Sequence, residues 1–230
     1  MKIITFNNKG FKPMAQWRVR RGYKVVEDRN PDLVSIQEAF ISRYILSISR
    51  VFSKLEYDRF APVDTSGTVV LHRRSKFTTR RSGSVRLHRG IHGISSHRNI
   101  TFEVVRDRSN GKTIAHASTH FTPGAWTERF SSRTREKVKA QWREGASNLK
   151  GFIKRNVEAG HLVVVGLDSN SSVDILKHFL GPVIAGQPVQ IVSDGIIHII
   201  FVGQWRVIDT NILKRTLSDH DPLVVIADAF

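Results

Sequence analysis

The sequence contains no cysteine in its 230 residues. That excludes a disulfide framework, a thiolate nucleophile and a cysteine-ligated zinc. Acidic residues are also scarce: 20 Asp and Glu stand against 36 Lys and Arg, a formal charge of +16. An excess of this size favours polyanionic partners through counterion release, and nucleic acid is the commonest of these. No apolar run approaches the roughly 18 residues of a membrane span, so no membrane partner is expected. Met1 to Phe6 is a short strand-like run that turns polar at Asn7, too short for a secretory signal. A cytoplasmic location is the default expectation. No fixed-period repeat, low-complexity linker or domain boundary shows. Residues 1–230 are expected to form one domain, large enough to bury a real core and working as a monomer.

Acid is missing most conspicuously from Thr65 to Phe102, which carries Arg73, Arg74, Lys76, Arg80, Arg81, Arg86, Arg89 and Arg98 with four histidines. Interrupted by Gly and Ser, this stretch reads as a basic loop system. Arg73, Arg74, Lys76, Arg80, Arg81 and Arg98 are candidates to track a phosphate backbone.

What is present is a series of short apolar strands. Lys2 to Phe6 is the first, and Pro13 to Arg29 follows with apolar residues at helical spacing and a basic outer face. Leu33 to Ile36 is a strand, and Ile41 to Leu55 reads as helical. Ile100 to Val105 and Thr113 to Thr119 flank Asn110-Gly111, a pair suited to a type I′ hairpin turn. Trp126 to about Ala159 reads as a basic helix that Gly145 and Gly151 could interrupt and Gly160 ends. Leu162 to Val165, Ile196 to Val202 and Trp205 to Asp209 are further strands, and Leu223 to Ile226 is the last.

Each candidate functional residue follows one of these strands. In order they are Asn7, Glu38, His120, Asp168 with Asn170, and Asp219 with His220. Acids, amides and imidazoles without a Ser or Cys nucleophile fit metal-assisted attack of water on a phosphate ester. Carboxylates hold a hard cation, a His removes a proton, and a second His or an amide stabilises the transition-state charge.

These residues lie in motifs that resemble the endonuclease/exonuclease/phosphatase superfamily, the fold of deoxyribonuclease I. Phe6-Asn7 is similar to the family's first-strand Asn. Pro31 to Glu38 is close to "PDLVxLQE", Ser118-Thr119-His120 to "NTH", Asp168-Ser169-Asn170 to "GDFN", and Ser218 to Pro222 to "SDHxP". Five pieces in the right order carry the resemblance. It implies an α+β fold: a four-layer α/β/β/α sandwich with two central, mostly antiparallel β-sheets. It also implies Mg2+ or Mn2+, with Glu38 as principal ligand helped by Asn7 and Asp219. Asp168 would position the water, Asn170 would donate to the phosphate, His220 would be the base or a phosphate ligand, and His120 would be the second imidazole.

Two departures stand out. Aligned on Phe201-Val202, the family's "IDHIFVS" puts its His-polarising Asp at His198. Loss of a carboxylate partner in an analogous dyad can cost about four orders of magnitude in rate, so His198 is a candidate site residue whose effect on His220 is in question. Asp194 or Asp221 could supply the charge instead. The resemblance also sets Arg98-Asn99 against an Arg-Glu pair, which removes an acid beside His120. The leading expectation is a metal-dependent phosphodiesterase on nucleic acid, an endonuclease on DNA rather than RNA. The alternatives are a phosphoesterase on a small phosphorylated or lipid headgroup substrate, and a catalytically impaired nucleic-acid-binding member of the fold.

Overall fold

A computed structural model describes residues 1–8, 16–39, 48–53, 56–62, 67–214 and 220–230. The strands are β1 (Lys2–Asn7), β2 (Leu33–Gln37), β3 (Tyr57–Phe60), β4 (Val69–Arg73), β5 (Phe77–His88), β6 (Arg98–Asp107), β7 (Thr113–His120), β8 (Leu162–Asp168), β9 (Val183–Ile184), β10 (Gln187–Asp194), β11 (Ile197–Val202), β12 (Trp205–Ile212) and β13 (Leu223–Ala229). The helices are α1 (Gln16–Glu27), α2 (Ser132–Glu158) and α3 (Val173–Leu180). One sheet has six strands in the order β12-β13-β1-β2-β4-β3, and the other seven in the order β5-β6-β7-β8-β11-β10-β9. The β1–β2 and β7–β8 pairs are parallel and the other neighbours antiparallel.

Strand alternation sorts the side chains into layers. Ile4, Phe6, Val34 and Ile36 pack against Val19, Tyr23 and Val26 of α1. Ala117, Val163, Val165 and Leu167 pack against Trp142, Ala146, Leu149 and Ile153 of α2. Between the sheets lie Ile3, Leu33, Ile114, Val164, Ile199 and Val225. The four-layer α/β/β/α sandwich implied by the family resemblance is the observed architecture.

Followed along the inner face, the inter-sheet layer changes from apolar to polar. Ile3, Leu33, Ile114 and Val164 give way to Thr5, Ser35, His116 and Gly166, then to Asn7, Gln37, Ser118 and Asp168. The two sheets come close at Gly166, where a Cβ would lie 2.5 Å from the Ser35 Cβ and 2.8 Å from Thr5 Oγ1. Gln37 then ties the sheets, its Nε2 donating to Thr5 Oγ1 at 3.1 Å, Ser118 Oγ at 3.1 Å and the Gly166 carbonyl at 3.2 Å. Close approach and a buried polar seam fix where the strand ends meet.

Several elements differ from expectation. The long helix starts at Ser132 and runs unbroken through Gly145 and Gly151; Gly145 seats the helix on Phe121 and Leu87, where a Cβ would meet ring carbon at 3.1 Å. The Asn110-Gly111 turn is not type I′, which needs positive φ at both central residues. Gly111 alone of the pair has it, at +74°, and Asp107 and Lys112 close a wider loop. The acid-free stretch is mostly strand, in β4, β5 and the start of β6, rather than loop. Most of the helix expected over Ile41 to Leu55 lies outside the described residues. Among the described residues, no helix is long and apolar enough to cross a membrane.

Candidate active site

The ends of β1, β2, β7 and β8 meet at one edge of the sandwich, where β1–β2 and β7–β8 run parallel. Parallel neighbours present their C-terminal ends together, so Asn7, Glu38, His120 and Asp168 converge from distant sequence positions. Asn7 Nδ2 donates to Asp168 Oδ2 at 2.6 Å and lies 3.4 Å from Glu38 Oε1. His120 Nε2 lies 3.7 Å from Glu38 Oε1 and 3.9 Å from Asp168 Oδ2. His220 Nε2 lies 4.0 Å from the same Asp168 oxygen. Asn170 completes the group: its backbone N–H donates to Asp168 Oδ1 at 2.9 Å, and its Nδ2 reaches His120 Nε2 at 3.1 Å and the Phe121 carbonyl at 3.0 Å. Glu38 and Asn170 both have left-handed backbone, with φ of +60° and +50°. Such backbone is uncommon outside glycine and clusters at functional sites.

Glu38, His120, Asp168, Asn170 and His220 line a cleft of about 490 Å³, together with Arg98, Thr122, Arg129 and Phe130. Sequence reading missed the last three of these. Thr122 follows β7 and was legible by the strand-end rule; Arg129 and Phe130 lie in an irregular segment that carries no such signal. The electrostatics follow from burial. Desolvation pushes the Asp168 carboxyl up to about 6, against the Asn7 hydrogen bond and the His220 charge that favour its ionised form. Burial, with Arg98 and His220 nearby, holds His120 well below its ordinary value of 6.5, so its imidazole is neutral. Burial lowers Arg98 to about 10, opposed by the attraction of Glu38 and Asp168.

These donors suit a hard divalent cation. Glu38 and Asp168 are carboxylates facing one cleft and bridged by a single amide, and buried carboxylates of this kind are costly without a compensating charge. Among the described residues no three acid or imidazole groups form a ready-made cage. Mg2+ is commonly held by one or two carboxylates with water, which matches a pair. Asn7 enters as the donor that joins them. Asp219, the remaining expected ligand, lies outside the described residues.

His198 needs correcting. It does not line the cleft. In β11 it pairs with Leu167 and so shares that residue's face, away from the inner layer, whereas Ile197 pairs with Asp168. Both imidazole nitrogens of His198 are engaged: Nδ1 meets Ser193 Oγ at 2.7 Å, and Nε2 meets Ser169 Oγ at 2.8 Å. Burial lowers it to about 4, a neutral core histidine.

The basic candidates divide. Arg98 lines the cleft. Arg73, Arg74 and Lys76 lie at the opposite end of the sandwich, beyond the His72–Leu33 pair, and each meets an acid. Arg74 Nη2 is 2.5 Å from Asp58 Oδ1, Lys76 Nζ 2.9 Å from Asp32 Oδ2, and Arg73 Nε 3.8 Å from Asp32 Oδ1. Arg80 and Arg81 are on β5, away from the cleft.

The four-layer sandwich with two central sheets is the deoxyribonuclease I-like fold seen in solved endonuclease/exonuclease/phosphatase proteins. Solved structures share it over nearly their whole length. An endonuclease/exonuclease/phosphatase from Bacteroides vulgatus is 18% identical with a TM-score of 0.76, covering 100% of this chain and 98% of that one. A mannosyl-6-phosphatase from Bacteroides thetaiotaomicron is 14% identical with a TM-score of 0.73, covering 99% of each chain. D. rerio TDP2 complexed with single strand DNA product is 14% identical with a TM-score of 0.72, covering 100% and 99%. No family model and no curated protein matches the sequence.

Proposed function

We propose that this chain is a metal-dependent phosphodiesterase that hydrolyses nucleic-acid phosphodiester bonds, with DNA as its substrate and internal cleavage as its mode. The observation that carries the reading is the convergence of Asn7, Glu38, His120 and Asp168 from four strand ends on one cleft that also holds a buried arginine. The excess of basic residues supports a polyanionic substrate, and the structurally similar TDP2 was solved with single strand DNA product.

Glu38 and Asp168, joined by Asn7, would hold a divalent ion with Asp219. A bound ion would supply Lewis-acid polarisation of a phosphoryl oxygen and charge stabilisation of the departing oxygen. Asp168 orients the attacking water by accepting its hydrogen bond. His220, with Nε2 4.0 Å from Asp168 Oδ2, takes the water's proton. Asn170 Nδ2 turns from the Phe121 carbonyl to donate to the phosphate. Neutral His120 and the Arg98 guanidinium face the charge that grows on the phosphoryl oxygens.

A second reading, hydrolysis of a small phosphorylated molecule, is favoured by the cleft lining, to which Ile94, Ser95, Ser96, Pro123, Arg129 and Phe130 contribute. Nicking of supercoiled plasmid with magnesium, with manganese and with chelator tests the first reading, with an Asp168→Asn/His220→Ala control. Metal-dependent nicking absent from the control is expected. Hydrolysis of a phosphomonoester without any cleavage of plasmid or oligonucleotide would replace the first reading with the second.

A further inference from the structure

The catalytic cleft is not the only concavity lined by arginine. A groove of about 520 Å³ runs between edge strand β5 and the C-terminal half of α2. Its floor is apolar, formed by Phe102, Phe152 and neighbouring valines, and its rim carries Arg80, Arg81 and Arg155. Regular alternation would send Arg80 and Arg81 to opposite faces of β5. A bulge prevents this. Thr79 pairs with Val105 and Arg81 with Val104, which leaves Arg80 as the extra residue, and both arginines line the same groove. Bulges that re-aim side chains are features that function exploits.

The charge on this rim is uncompensated. Among the described residues no carboxylate lies within ion-pair distance of Arg80, Arg81 or Arg155. The contrast with Arg73, Arg74 and Lys76 is sharp, since each of those is ion-paired, with Asp32 or with Asp58. Arg81 also lies over the Phe102 ring, with its Cζ 5.3 Å from the centroid. The guanidinium is therefore held at the edge of the apolar floor rather than free in solvent. Beyond the groove, β5 continues through Arg86 to His88, whose ring meets Thr122 in the cleft wall at 3.1 Å. From Arg80 to His88 the strand spans roughly 26 Å at its usual rise.

We propose that the β5–α2 groove is an exosite for single-stranded nucleic acid, which lays phosphates on Arg80, Arg81 and Arg155, while a distant segment of the same strand enters the cleft. Single-strand binders use such a positively charged groove to track the backbone, and the buried Phe102 ring holds the Arg81 guanidinium in place for it. This role rests on nucleic acid being the substrate.

The test is anisotropy of a labelled single-stranded 20-mer across a salt series in chelator, where no turnover occurs. Three proteins are compared: wild type, Arg81→Ser/Arg155→Ser, and Arg74→Ser/Lys76→Ser, with melting temperatures measured for each. The groove variant should bind about tenfold more weakly at moderate salt, and its log–log salt slope should be shallower by about 1.4, the share of two phosphate contacts on a single strand. The control should change less than twofold. Hydrolysis of bis(p-nitrophenyl) phosphate by the groove variant should equal that of wild type. Unchanged binding by the groove variant, or equal losses in both variants, overturns the exosite. Arg80→Glu serves as the second variant, and unchanged binding there has the same meaning. Tighter, groove-dependent binding to phosphatidylserine vesicles than to the oligonucleotide overturns the choice of partner. Groove-dependent oligonucleotide binding with no cleavage of any nucleic acid would overturn the catalytic reading and leave the groove as a nucleic-acid binding site alone. Cleavage with an inert groove would do the reverse.

Discussion

Glu103 bridges the two sheets to His72: its Oε2 lies 2.8 Å from Nδ1 of His72, and both side chains are buried. The other oxygen, Oε1, meets His116 Nδ1 at 2.9 Å, and His116 Nε2 continues to Ser35 Oγ at 2.9 Å. A polar chain thus crosses the layer between the sheets a short distance below the candidate site. Burial alone would raise the Glu103 carboxyl, but hydrogen bonds from His116 and His72 outweigh it and hold the group below its ordinary 4.5.

The sign of the linkage follows. A depressed carboxyl contributes stability that is fully present above its unfolded value and is lost as pH falls through the lower folded value. Wild type should therefore lose this contribution only below about pH 4.5. Glu103→Gln keeps the shape and removes the titration. Chemical denaturation should show a loss on the order of 1–3 kcal/mol at neutral pH and a flatter acid limb than wild type. An unchanged acid limb would mean that the bridge does not couple to folding.

Gly166 sets the spacing of the same layer. In Gly166→Ala the new Cβ would meet Ser35 Cβ at 2.5 Å and Thr5 Oγ1 at 2.8 Å. Neither neighbour is a flexible chain end, so the sheets must separate. Overpacking of this kind costs about 1–3 kcal/mol or more. Because the candidate site straddles both sheets, activity should fall further than stability does. Denaturation midpoints and initial rates measured on the same preparation check both.

His198→Ala tests the corrected role of that residue. The substitution leaves Ser169 and Ser193 without their imidazole partner, so a stability loss on the order of 1–3 kcal/mol is expected. His198 does not line the cleft, so the pH dependence of kcat should keep its shape. A changed pH–rate profile in a fully folded variant would return His198 to the chemistry.

The candidate residues that converge were legible because each stands at a strand end, where alternation and a polar breaker mark the position without any knowledge of the fold. Asn7, Glu38, His120 and Asp168 all have this form, and two parallel strand pairs bring them together. The face of His198 was not legible. In Ile196 to Val202 both faces are buried, so the run gives no alternation from which to read parity. Nor could sequence show which arginines are neutralised. Asp32 meets Lys76 across 44 positions, and Asp58 meets Arg74 across 16. The acid-free stretch receives its acids from elsewhere in the chain.

Metal binding can be separated from catalysis. Glu38 and Asp168 share Asn7 as a common donor and are otherwise drawn together in a mostly buried corner. Two carboxylates so placed repel each other and resist desolvation, a cost that a divalent cation removes. An ion that binds only the folded state raises its stability by mass action, by about 2.7 kcal/mol at a hundredfold excess over the dissociation constant. Magnesium or manganese should therefore raise the melting temperature of wild type in a concentration-dependent way, and chelator should reverse the rise. Glu38→Gln should show little of this shift. Asp168→Asn should be at least as stable as wild type in chelator, because it removes the buried charge, and should gain less from metal. Thermal melts over a metal titration read all three without any substrate. A wild-type curve indifferent to both ions would sink the assignment of Glu38 and Asp168 to a metal, whatever the protein then proves to hydrolyse.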